Sequence, residues 1–162
     1  MAERERGCGL EFAARAQKKL GRYRRKDPVS GKTVVYEIRS LRSAIKPRLN
    51  NETVSFEVEI ATEGKLREDW VHSDNAFESD MIRRAEQATE ASIREIVEKT
   101  LAKMQNELKV DVAGFGKRLN IAFPMEWKKR KNEWDRQFSE IKVEVKVNAT
   151  IQEFGTKGMK NG

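Results

Sequence analysis

The sequence predicts an α+β fold: an antiparallel β-sheet of three to five strands packed against one long and one shorter α-helix. Three observations carry this reading. Stretches within 32–60 and at 141–151 alternate apolar and polar residues with a period of two, the signature of half-buried strands. An apolar stripe at three- and four-residue spacing runs through 77–108 with no Gly or Pro to interrupt it. A segment opening at Pro124 places Trp127, Trp134 and Phe138 on one helical face.

Along the chain, 10–20 reads as a short helix within a basic leader, and Asp27-Pro28-Val29-Ser30-Gly31 as a turn. The first strand, at 32–41, alternates Val34, Tyr36 and Ile38 with Val35, Glu37 and Arg39; Pro47 and Asn50-Asn51 then punctuate its end. The second is clearer. Val54, Phe56, Val58 and Ile60 face one way, with Ser55, Glu57 and Glu59 between them. The two are expected to pair as a hairpin-like unit with a long connection, and a shorter strand to follow from Lys65 after a turn at Glu63-Gly64. The long helix carries Ile82, Ala85, Thr89, Ile93, Ile96, Val97, Leu101, Met104 and Leu108 on one stripe, with Glu86 and Glu90 early and Lys99 and Lys103 late, as the helix dipole favours. Gly114 and Gly116 break it, since glycine readily takes tight or left-handed backbone. The second helix is expected over 124–139. The last strand alternates Ile141, Val143, Val145, Val147, Ala149 and Ile151 with polar residues. The domain reading is 1–31 as a basic, partly flexible lead-in, 32–156 as one folded domain and 157–162 as a flexible tail.

Charge is unevenly placed. The net +7 resolves into nine Lys/Arg against three Asp/Glu within 1–26, and 24 against 23 in the rest. A basic balance of this kind suits any anionic surface, with Arg22, Arg24, Arg25 and Lys26 the candidate contacts. Mean hydropathy is −0.77, and no run of about 18 apolar residues could span a bilayer as a helix. One cysteine, Cys8, offers neither an intrachain disulfide nor a zinc site.

Catalytic patterns are missing. There is no P-loop, and Gly114-Phe115-Gly116 lacks the third glycine of a dinucleotide fingerprint. His72 is the single histidine and has no nucleophile suggested beside it. Asp111 and Glu126 are the acid–base candidates of an enzyme reading, which fails for want of a paired group. Asp111 is read as capping turn amides. Trp127 and Trp134 read as core, whereas Trp70 lies in a charged stretch. The sequence thus predicts no enzyme, no cofactor and no metal, and a candidate partner surface of Trp70, Asp111, Gly114, Phe115 and Gly116.

Three stretches carry a family resemblance. The first is Tyr36-Glu37-Ile38-Arg39-Ser40-Leu41-Arg42-Ser43-Ala44-Ile45-Lys46-Pro47, then Val54-Ser55-Phe56-Glu57-Val58-Glu59-Ile60 and Glu63-Gly64-Lys65-Leu66-Arg67-Glu68. The second is Asp111-Val112-Ala113-Gly114-Phe115-Gly116 after a long charged helix. The third is Phe123-Pro124 with Trp127, Trp134 and Phe138, an alternating valine strand and Gly155. In this order, over 32–156, they resemble the C-terminal domain of the Ger(x)C, or GerAC-like, spore germination lipoproteins. The resemblance implies an excised final domain of a germinant receptor C subunit. Such subunits are held by lipid at the outer face of the spore inner membrane. It also implies A- and B-type receptor subunits as partners and a non-catalytic role through protein–protein contacts; this fragment alone would be soluble. The alternative is a nucleic-acid-binding domain using the basic N-terminal arm and the run Lys128-Lys129-Arg130-Lys131. A further reading, compatible with the first, lays the arm on anionic lipid.

Overall fold

In a computed structural model, which describes residues 22–26, 33–67 and 75–154, four strands form one sheet in the order β1-β2-β3-β4. These are β1 (Arg22–Lys26), β2 (Thr33–Asn50), β3 (Thr53–Arg67) and β4 (Val143–Phe154). Between β3 and β4 run α1 (Asn75–Ala102), a π-helical turn (Lys103–Leu108), α2 (Phe115–Ala122), α3 (Pro124–Arg130), a 3-10 turn (Lys131–Glu133) and α4 (Trp134–Phe138). The helices cover one face of the sheet, giving two layers around one core.

The α+β class stands, but the sheet is mixed. β1, β2 and β3 pair antiparallel, whereas β4 lies parallel to β3, with Phe56 opposite Val143 and Ile60 opposite Val147. Alternation reports which residues face the core and not which way a strand runs. The direction is set by the crossover. At about 1.5 Å per residue, the 28 residues of α1 reach back about 42 Å, nearly the length of the 15-residue β3. The chain therefore re-enters the sheet at the end where β3 began.

The expected long connection between the first two strands is also replaced. β2 runs on through Pro47, and only Asn51 and Glu52 join it to β3, both at positive φ as a type I′ turn requires. The closing pair Asn50–Thr53 fixes the phase back to the irregularity at Ile38/Ser40: over 40–50 the even-numbered β2 residues exchange hydrogen bonds with β3, and the odd-numbered ones point away. Pro47 is odd. Its partner Phe56 sends its own N–H to Lys142 O, just before β4 (3.0 Å), so the missing proline donor costs the β2–β3 ladder nothing. Lys65 likewise continues β3 through Gly64, with no separate strand.

The helical half departs from expectation twice. The long helix changes to a π turn at Lys103 and ends with Lys109 in the left-handed region. The segment 124–139 is broken at 131–133, and the glycine-bearing stretch, expected to be a turn, opens α2. Strand β1 occupies 22–26, within the segment read as a lead-in.

The core combines Val54, Phe56, Val58 and Ile60 of β3, Val145 and Val147 of β4, Ile93, Val97, Leu101 and Met104 from the long helix and its π turn, and Phe115, Leu119, Trp134 and Phe138. A smaller cluster joins Tyr36, Ile38, Ala85 and Ile151. There Tyr36 lies across Gly64, where an added Cβ would stand 2.5 Å from the ring, and its hydroxyl donates to Thr150 O (3.2 Å).

Candidate functional site

The turn after the long helix is organised by Asp111. Gln105 first ties the π turn to the far end of the chain, its Nε2 donating to Phe138 O and Ile141 O at 2.8 Å each. Asp111 Oδ1 then accepts the N–H of Gly114 (2.8 Å) and of Phe115 (3.0 Å). Its Oδ2 accepts Gly116 N–H (2.7 Å) and the indole Nε1–H of Trp134 (2.9 Å). Four donors thus converge on one carboxylate, three of them amides at the start of α2 that a helix leaves without intrahelical partners. Gly114 sits at φ 84°, which favours glycine. Gly116 is required by close approach: a Cβ there would stand 2.7 Å from both the Trp127 ring and Trp134 Nε1.

Phe115 is 1% exposed, edge-on to Phe56 at 5.1 Å and 5.1 Å from Phe138. Its expected place on a partner surface is therefore corrected: it is a core side chain, because Asp111 turns the loop so that Phe115 enters the sheet–helix interface. Gly116 is buried with it. The exposed apolar side chains of this loop are instead Leu108, Val110 and Val112, the last 65% exposed. Asp111 and Gly114 are half-buried and shape the loop from beneath. Trp70 and His72 lie outside the described residues. Arg22, Arg24, Arg25 and Lys26 form the backbone of edge strand β1, opposite Glu37, Val35, Val34 and Thr33.

Two charged arrangements escape sequence reasoning. On the solvent side of the sheet, β2 cations reach diagonally to β3 carboxylates: Arg48 to Glu57 (2.9 Å), Lys46 to Glu59 (2.6 Å) and Arg42 to Glu63 (3.1 Å). Lys146 of β4 also holds Glu57, at 2.6 Å. Hydrogen bonds from Lys146 and then Arg48 hold the Glu57 carboxyl down at about 2, against burial, which opposes ionisation. Glu126, the other acid–base candidate, is gripped by Lys129 (2.6 Å) and Arg130 (3.1 Å). The Lys129 hydrogen bond foremost keeps its carboxyl below the usual range. The alternation in β3 and β4 signalled outward polar rows; the β2 cations Arg42, Lys46 and Arg48 lie beyond the strand expected at 32–41, and the diagonal pairing needed the hairpin register.

The chemistry available here is internal. Asp111's oxygens are occupied by turn amides and an indole, and Glu57 and Glu126 by cations. Among the described residues, no group of three or more His, Cys, Asp or Glu is placed to hold a metal ion. No described helix is long and apolar enough to cross a membrane.

A two-layer domain with a parallel fourth strand and a capped aromatic turn belongs to a recognisable class. The chain is a member of the family described as spore germination B3/GerAC like, C-terminal, whose model matches residues 9–155. It is similar to spore germination protein YndF of Bacillus subtilis (strain 168), with 37% identity over 142 residues, 88% of this chain and 35% of that protein. Spore germination protein B3 of the same organism is 30% identical over 128 residues, 79% of this chain and 34% of that protein. Among solved structures, that of the GerBC protein superposes with a TM-score of 0.71 at 27% identity, covering 82% of this chain and 40% of that one. The chain thus spans about a third of the length of the curated relatives it matches.

Proposed function

We propose that this domain is the non-catalytic C-terminal module of a germinant receptor C subunit, acting in nutrient-triggered spore germination through contacts with A- and B-type receptor subunits. In the full-length lipoprotein it would stand at the outer face of the spore inner membrane. The observation that carries this reading is the family match across 9–155, shared with spore germination proteins. The fate of Asp111 supports it: the most heavily hydrogen-bonded side chain of the glycine turn serves the fold itself.

The partner surface is the outer side of the Asp111 loop. Val110 and Val112 present the apolar contact, and Asp111 and Gly114 set the loop's shape. The test is co-purification of the full lipoprotein with its neighbouring receptor subunits, comparing wild type with Val110→Ser/Val112→Ser. Reduced recovery of receptor subunits, with an unchanged thermal midpoint, is the expected result. Undiminished recovery and normal germination would remove this surface from the mechanism.

A further inference from the structure

From exposure and charge, independently of the receptor reading, we infer that the corner between α2 and α3 is a docking surface for an anionic lipid bilayer. Residues 115–131 hold six Lys or Arg against one Glu. The chain after β1 holds 24 basic against 23 acidic residues, so the excess of five in this segment exceeds that of the whole stretch. At its centre stand five consecutive apolar residues, Ile121-Ala122-Phe123-Pro124-Met125. Ile121 is 51% and Met125 68% exposed, which is unusual company for a lysine-rich surface.

The geometry keeps these residues outward. Phe123 N–H donates to Leu119 O (2.7 Å) and Trp127 N–H to Phe123 O (3.0 Å), fixing the corner with one residue between the helices. Leu119 and Glu126 face inward, while Lys117 lies one turn before Ile121 and Lys128 one turn after Met125. Among the described residues no carboxylate pairs with Lys117, Lys128 or Lys131. Exposed apolar side chains at the corner, flanked by hydrated lysine point charges, match a headgroup layer with acyl chains beneath it. A nucleic acid fits less well. Trp127 in this segment and Trp134 beyond it are packed against Gly116 and each other, so they offer bases no stacking platform.

The full chain is tested by co-sedimentation with phosphatidylcholine vesicles, with and without phosphatidylglycerol, at about 0.1 M salt. Binding is expected on the phosphatidylglycerol vesicles alone. Lys117→Gln/Lys128→Gln should weaken it about 25-fold, at about fivefold per charge, and Ile121→Ser/Met125→Ser about tenfold. All four positions are exposed, so the thermal midpoint should hold. An environment-sensitive dye on Met125→Cys, in a Cys8→Ser background, should blue-shift on those vesicles. Vesicle binding that ignores both double substitutions, or a dye that stays in water while the protein sediments, would overturn the proposal and leave the basic N-terminal arm as the contact. Failure to bind any vesicle would overturn it too, without touching receptor co-purification.

Discussion

Glu86 on α1 accepts the backbone N–H of Ile151 on β4, at 2.9 Å from its Oε1, and Glu90 repeats the contact on Ala149 at 3.0 Å. β4 is an edge strand, and edge strands present unpaired amides to which other chains can add. Residues four apart on a helix rise about 6 Å, and residues two apart on a strand about 6.6 Å, so the two carboxylates meet alternate edge amides. In this way the helix closes one edge of the sheet.

Glu86→Ala and Glu90→Ala should each destabilise the domain by about 1–2 kcal/mol, because each leaves an amide at a buried position without an acceptor. Glutamine keeps an acceptor oxygen and should cost less. Chemical denaturation of the four variants checks this. Equal loss for Ala and Gln would mean that charge, and not the amide contact, is what matters.

Asp111→Ala should cost about 2–4 kcal/mol, since it removes the acceptor of three helix-start amides and of the Trp134 indole at once. Asp111→Asn retains one acceptor oxygen and should fall between. The tryptophan emission of Asp111→Ala should shift as the Trp134 environment changes; an unmoved spectrum and midpoint would show that the indole does not depend on this carboxylate.

Glu57 makes stability pH-dependent. Its folded value of about 2 lies below the ordinary 4.5, so in acid the unfolded chain takes up the proton first. The stabilisation is present in full above about 4.5 and is lost as pH falls towards 2. Thermal midpoints of wild type and Glu57→Gln should therefore differ near neutrality and converge across that window. A constant gap down to pH 2 would contradict the ion-pair account. Lys146→Met should narrow the window, since the Lys146 hydrogen bond is the largest cause of the shift.

Much of this was legible beforehand, and what was not has physical reasons. Val54, Phe56, Val58 and Ile60 had to share a face, because one side of the sheet is buried, and they do. The stripe Ala85, Ile93, Val97, Leu101 and Met104 faces the sheet for the same reason. Ile96 and Leu108 sit on that stripe yet are exposed, the latter because the π turn rotates the helix end outward. Pro47 looked like a terminator because its ladder phase depends on the turn at Asn51 and Glu52, which alternation does not reveal. Phe115 looked like part of an exposed loop because the glycines beside it suggested one. The side chain that folds that loop inward, Asp111, lies three residues before Gly114 and binds through backbone amides common to any sequence.

The turn itself gives the last prediction. Glu52 holds φ 66°, where a non-glycine residue is strained by about 1–2 kcal/mol, part of which glycine would return as extra freedom of the unfolded chain. Arg130 grips the Glu52 carbonyl at 2.7 Å, a contact any residue at this position keeps. Glu52→Gly should therefore stabilise the domain by about 0.5–1 kcal/mol, a rise of about 1–4 °C in thermal midpoint for a chain of this size. Asn51 needs no such relief, since asparagine tolerates its φ of 43° better than most residues. Arg130→Ala should lower stability in both backgrounds by the same amount. A fall in stability on Glu52→Gly would mean that β2 and β3 are not joined by this two-residue turn, and Pro47 would then have lost its edge-facing phase.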